Sequence, residues 1–291
     1  MKLSAVILNY NDYRHTAQQL QRLLSYEILD DIVLVDNCST DDSAARLQAL
    51  LPKSPRTHLI RTRENGGYGA GNNAGIRYAI HCCEATHILV ANPDTVFSEE
   101  LLRALLAAFE ARPKLGVASA VMQDGQGGRQ QTAWPLRPWL GELLNSGPLS
   151  RRIFRGLINY RPSYLQKADA VAVDVVHGSL LMLSAEAFLA CGGYDERVFL
   201  YGEENILGFR MKQAGYRSLL LQSQSYSHEN SGTISKTYRS MVPKQKLRQA
   251  SERFYYREYL HISRGQQAFT QLFQMIVLLE TWAAELLHVL H

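Results

Sequence analysis

The chain has 291 residues, 46% hydrophobic and 20% charged. That is enough apolar side chain for a large buried core and excludes a disordered polyelectrolyte. The net charge of +4 does not by itself imply nucleic acid, and it is unevenly spread: eight Lys or Arg face two Glu between 236 and 264, leaving the rest of the chain two negative.

Residues 3–8 and 32–35 are short apolar runs ending in polar residues, the pattern of buried parallel strands. A helical stretch at 16–24 lies between them. Ser39, Thr40, Asp41 and Asp42 can cap a helix running through 44–51. Strands follow at 59–61, 87–91 and 117–122, with helices at 72–81 and from 98 to about 111. This alternation predicts an α/β fold, a Rossmann-like, mostly parallel sheet flanked by helices, with ligands at the carboxyl ends of its strands. From 125 to about 167 the pattern weakens, and a long, partly ordered, acceptor-facing loop is expected. Strands at 170–176 and 180–183 and helices at 185–191 and 205–214 come next. Residues from about 237 onward read as helical.

Two units are expected: 1–235, with an internal division near 122/123, and a basic then amphipathic helical extension, 236–291. The four cysteines lack zinc-type spacing and suit a reducing cytoplasm. Neither a secretory signal pattern nor an uninterrupted apolar run of membrane-spanning length is expected.

Five constellations carry candidate chemistry. Asp36 directly follows a strand and can accept from a base or ribose. Asn65, Gly66 and the glycines after them precede a helix and permit close backbone approach. They do not follow the first strand, which excludes a dinucleotide fingerprint, and no Gly-Lys-Ser/Thr follows, which excludes a P-loop. Asn92-Pro93-Asp94 ends a strand on a carboxylate able to hold a divalent cation against a diphosphate. Glu203 and Glu204 open a helix, where a carboxylate can take a proton from an attacking hydroxyl. His228, in the block 227–231, can complete a metal site.

In this order, the blocks resemble family 2 glycosyltransferases of the GT-A fold. The resemblance runs from about residue 2 to 231 and includes Leu8-Asn9-Tyr10-Asn11, Val35-Asp36-Asn37, Asn92-Pro93-Asp94, Gly178-Ser179 and Gly193-Tyr194-Asp195-Glu196. It is strongest to bacterial rhamnosyl- and galactofuranosyl-type transferases of surface polysaccharide. It implies inverting transfer from a UDP- or dTDP-sugar to a hydroxyl of a saccharide or lipid-linked saccharide. Asn9, Tyr10, Asp36, Asn65, Gly66 and Asn92 would line the nucleotide. Asp94 and His228 would bind Mg²⁺ or Mn²⁺. Glu204 would be the base, with Glu203 the alternative, and Asp195 and His177 would meet the acceptor. The family's Asp-x-Asp motif has one carboxylate fewer here, because Asn92 replaces the first Asp.

The rivals are a sugar nucleotidyltransferase and a non-catalytic sugar-nucleotide-binding protein. The first would want a Gly-rich basic loop after the first strand, where Asn9-Tyr10-Asn11-Asp12 stands. Phe269, Leu272, Phe273, Ile276, Leu279, Ala283, Leu286 and Leu290 share a helical spacing. They are expected to pack on the catalytic unit, join a homodimer or touch a membrane from the cytoplasmic side. No nucleic acid partner is expected.

Overall fold

The computed structural model describes residues 1–51, 54–228 and 240–289, without the side chains of 288 and 289. The first strands and helices alternate: β1 (Leu3–Asn9), α1 (Tyr13–Leu24), β2 (Asp31–Asp36), α2 (Ser43–Leu50), β3 (Thr57–Arg61), α3 (Gly67–His81) and β4 (His87–Ala91). A two-residue strand β5 (Thr95–Val96) precedes α4 (Glu99–Glu110) and β6 (Leu115–Gln123). Next come β7 (Ala133–Trp134), the short helices α5 (Trp139–Ser146), α6 (Pro148–Ile153), α7 (Arg155–Ile158) and α8 (Pro162–Leu165), then β8 (Ala170–Val173), β9 (Val175–Val176) and β10 (Leu180–Ser184). Helices α9 (Ala185–Cys191) and α10 (Glu203–Gln213) lead to β11 (Arg217–His228), and α12 (Met241–Glu258) and α13 (Arg264–Val289) follow.

The main sheet has the order β3-β2-β1-β4-β10-β6-β11-β5, with β8 also paired to β11. Six of its nine strands run one way; β5, β8 and β10 are reversed. This is the mostly parallel sheet expected. Alternation along each strand divides the core. Leu3, Ala5, Ile7, Leu34 and Leu89 enter one layer with α1 and α4, while Val6, Val33, Val35 and Val90 enter the other with Ile76 of α3 and Phe188 of α9. Each such buried Leu, Ile or Val side chain stabilises the fold by about 1.5–3 kcal/mol.

Two segments depart from the expectations. Residues 125–167 hold four short helices instead of a long loop. Pro148 and Pro162 stand in the first turns of α6 and α8, and Pro138 caps α5. Proline there loses only an N–H that would be unpaired anyway and supplies a helical φ. Helix α3 starts at Gly67, inside the glycine run, five residues earlier than expected. Gly67 has φ +90°, and a Cβ there would lie 2.0 Å from the Phe199 carbonyl oxygen. That carbonyl accepts from Tyr68 N at 3.1 Å, so the helix start is docked on the 195–202 segment.

The expected boundary at 235/236, and the residues of block 227–231 beyond His228, lie outside the described residues, as does Leu290. Tyr255, Tyr256 and Ile262 pack with Leu143, Val198 and Ile206, joining the last two helices to the rest of the chain. No helix among the described residues is long and apolar enough to cross a membrane.

Candidate functional site

The polar residues past the strands converge at one end of the sheet. Asn9 ends β1 and Asp36 ends β2, paired in register. Both are fully buried. Asn9 Nδ2 donates to Asp36 Oδ1 and to Ser39 Oγ, each at 3.0 Å, and Asn9 Oδ1 accepts from Thr16 at 2.9 Å. Asp36 Oδ2 accepts from Ser39 N at 3.2 Å and pairs with Arg61 Nε at 3.2 Å. Asn9 and Asp36 thus form a saturated floor, with Tyr10 half-buried at its edge. Asn65 Oδ1 accepts from Asn37 Nδ2 at 2.9 Å and Gly67 N at 3.1 Å, which ties Gly66, the residue capping α3, to the end of β2.

Asn92 N donates to Ser179 O at 2.8 Å, and Asn92 O accepts from Thr95 N and Oγ1. This turn delivers Asp94 and then β5. Strand β5 pairs antiparallel with the end of β11, setting His228 opposite Thr95. His228 Nε2 therefore lies 3.2 Å from Asp94 Oδ1, with both side chains about nine-tenths enclosed.

The His177 and His228 rings are 5.9 Å apart. His177 Nδ1 accepts from Ser179 N at 3.1 Å, so the neutral ring carries its proton on Nε2. Burial pushes its pKa down, against the opposing pull of Glu204. Trp134 meets His177 edge-on at 6.3 Å and donates from Nε1 to Asn205 Oδ1 at 2.6 Å. The pairing of β7 with β9 brings it there.

Glu203 and Glu204 begin α10, yet their surroundings differ. Glu204 is half-buried, and its Oε1 accepts from Gly178 N at 3.3 Å. A Cβ on Gly178 would sit 3.1 Å from Glu204 Oε1 and 3.3 Å from the Tyr68 hydroxyl, which itself donates to Gly178 O at 2.6 Å. Glycine therefore lets carboxylate, phenol and backbone meet. Glu203 is buried, and its Oε2 has no hydrogen-bond partner. Burial, then the adjacent Glu204 charge, raises its pKa well above the carboxylate range.

That shift has a sign. The folded state favours protonated Glu203, so its contribution to stability is present below the ordinary carboxyl pKa of about 4.3 and is lost as pH rises through the folded value. Glu203→Gln should relieve the loss. In melting scans from pH 5 to pH 8.5, the variant should gain on the parent as pH rises. An offset constant with pH would contradict this reading.

Asp195 stands apart from this group. Its buried carboxylate accepts from Arg197 Nη2 at 2.7 Å, the Tyr259 hydroxyl at 2.6 Å and Arg210 Nη2 at 3.2 Å. Burial raises its pKa, but the bonds from Arg197 and Tyr259 and the Arg210 charge outweigh it and hold the carboxyl well below its usual range. These bonds tie its loop to α10 and α12. Tyr68, Trp134 and Ser179 join the site without having been singled out as candidates, although Tyr68 stands in the glycine block after Asn65 and Ser179 in Gly178-Ser179.

Residues 4–172 match the family described as Glycosyl transferase family 2. The chain is 27% identical to the N-acetylglucosaminyl-diphospho-decaprenol L-rhamnosyltransferase of Mycobacterium tuberculosis (strain CDC 1551 / Oshkosh), over 78% of this chain and 75% of that one. It superposes on GalNAc-T7 bound to UDP, GalNAc and Mn²⁺ with a TM-score of 0.60 at 14% identity, covering 79% of this chain but only 44% of that one. It superposes equally, TM-score 0.60 and 14% identity, on the mannosyltransferase PcManGT of Pyrobaculum calidifontis in complex with GDP-Man and Mn²⁺, over 97% of this chain and 73% of that one. The family match spans more than half of the chain, and the chain belongs to glycosyl transferase family 2, an enzyme of the GT-A fold.

Proposed function

We propose that this enzyme transfers a sugar, with inversion, from a UDP- or dTDP-sugar to a hydroxyl of a lipid-linked saccharide in cell-surface polysaccharide synthesis. The observation that carries the reading is the Asp94–His228 pair, 3.2 Å apart at the strand ends, with His177 beside it and Glu204 beyond. The Mycobacterium relative supports a rhamnosyl donor and a lipid-diphosphate acceptor, at 27% identity.

A carboxylate oxygen and an imidazole nitrogen that share one divalent cation lie about 3 Å apart, because each sits about 2.1 Å from the ion. Asp94 and His228 fit that separation, and the Mn²⁺ in both solved relatives supports Mn²⁺ or Mg²⁺ as the ion. When bound, the cation would neutralise charge on the departing diphosphate. Asn92 and Pro93 set the turn that presents Asp94. Asn9 and Asp36 act as the floor under the nucleotide, with Tyr10, Asn65 and Gly66 at its rim. Glu204 takes the proton of the acceptor hydroxyl. Glu203, held protonated, is poorly suited to that task. Neutral His177 and Trp134 face the acceptor, and Asp195 acts through the loop it anchors.

All four cysteines are free thiols, which suits a cytoplasmic enzyme working at the inner face of the plasma membrane. The units 1–122, 123–235 and 236–291 correspond to donor, acceptor and docking roles, the last toward a membrane or a second copy.

A thermal-shift panel of UDP- and dTDP-sugars with Mn²⁺ tests the reading. A ligand present at 100 times its Kd stabilises the native state by about 2.7 kcal/mol, so a true donor should raise Tm by several degrees. A flat response across the panel would contradict a sugar-nucleotide enzyme.

A further inference from the structure

Helix α13 is turned inside out. Its buried face carries Thr270, Gln274 and Thr281 beside Val277. Thr270 Oγ1 accepts from Trp139 Nε1 at 2.9 Å. Gln274 bonds Gln249, Arg253 and Glu252 of α12. Its outer face carries Phe269, Leu272, Ile276, Leu279, Trp282 and Leu286, each between 43% and 64% exposed. A helix packed on a soluble core shows the opposite arrangement. From Phe269 to Leu286 this stripe runs about 25 Å, at about 1.5 Å per residue.

Helices α6 and α7 carry a second exposed apolar and basic patch. A Cβ on Gly147, just before α6, would lie 2.9 Å from Val277 Cγ2, so α6 starts against α13. Leu149, Ile153 and Leu157 are exposed there, and so are Arg151, Arg152 and Arg155. No carboxylate lies in 148–158. The two carboxylates of α13 are already engaged or enclosed: Glu285 accepts from Ser240 Oγ and Met241 N, and Glu280 Oε2 is buried.

We propose that the outer face of α13, with the α6–α7 arginines beside it, seats the protein on an anionic lipid surface. The charges decide between a bilayer and a second copy. A two-fold pairing sets this patch against itself, where the arginines meet no acid. Anionic headgroups supply the missing charge, while the apolar stripe and Trp282 enter the headgroup–acyl boundary. The helix lies along the surface without crossing it, and the inference is independent of the transfer reading above.

The test is flotation with phosphatidylcholine vesicles, with and without phosphatidylglycerol, at low and high NaCl. The full chain should float with the phosphatidylglycerol vesicles and be released by salt. Replacing Arg151, Arg152 and Arg155 together by Gln should weaken binding by roughly a hundredfold, from about 1 kcal/mol per basic residue. Ile276→Glu, at an exposed position, should also abolish it, with melting unchanged in both variants. Absence of flotation would overturn the proposal, and so would flotation that neither variant weakens. A lipid-free dimer that Ile276→Glu dissociates would assign the face to a second copy and overturn it equally. The salt dependence of the parent protein needs no variant and reads the electrostatic part directly.

Discussion

Glu204→Gln should abolish sugar transfer while leaving donor binding intact. Glutamine keeps the shape that fits between Gly178 and Tyr68 and can still meet Gly178 N, but it cannot take a proton from an attacking hydroxyl. A positioned general base contributes about 10²–10⁴-fold, so kcat should fall by about that factor. The donor Kd, by calorimetry, should stay within about twofold, because the loss belongs to the transition state and not to ground-state binding. Glu203→Gln, by contrast, should keep transfer, since that carboxyl is buried and held protonated. Full activity in Glu204→Gln, or its loss in a folded Glu203→Gln, would reverse the assignment.

The second large effect concerns the other side of the reacting bond. Asp94→Asn keeps the turn built by Asn92 and Thr95 but removes the charge opposite His228. A divalent ion stabilises a departing diphosphate by several kcal/mol, and each 1.36 kcal/mol is tenfold in rate. The variant should therefore lose about 10²–10³-fold in kcat/KM, and chelation of the parent by EDTA should cost a similar factor, restored by Mn²⁺. His228→Ala should fall in the same direction by a smaller factor, since it leaves the Asp94 carboxylate in place.

Much of this fold was legible because its strands are short, nearly continuous apolar runs ending in polar residues, as strands buried on both faces must be. Residues 87–91 and 185–191 have the bounds expected from the sequence, the helix closed by Gly192. What escaped depends on distant parts of the chain. Two residues, Thr95 and Val96, carry no strand signal of their own; they are a strand only because β11 returns to pair with them. The same pairing sets His228 against Asp94, a meeting no local pattern announces. The start of α3 was hidden by glycine's poor helix propensity, and the Phe199 carbonyl explains why glycine stands there. The helices between 139 and 165 were masked by scattered Pro, Gly and Arg, although their prolines mark helix starts.

The C-terminal helix makes the same point about direction. Spacing put Phe269, Leu272, Phe273, Ile276, Leu279, Ala283 and Leu286 on one face; all stand exposed except Phe273, which packs inward against the cluster of Tyr255, Tyr256 and Ile262. Periodicity cannot say which way that face turns, and here it turns outward because Thr270 and Gln274 find hydrogen-bond partners inside. At the site, the identities of Asp94, Glu204 and His228 were legible as types in an order. The difference between Glu203 and Glu204 was not, because it rests on the burial of one carboxyl and the approach of Gly178 to the other.

The sharpest measurement is calorimetric titration of UDP and dTDP into the parent protein and Asp94→Asn, each with and without Mn²⁺. With a cation site at Asp94 and His228, the parent should bind one of the two nucleotides at least about tenfold more tightly with Mn²⁺, a gain of about 1.4 kcal/mol, and Asp94→Asn should lose that gain. An equal gain in both proteins, or none in the parent, would contradict a diphosphate–metal site at this pair.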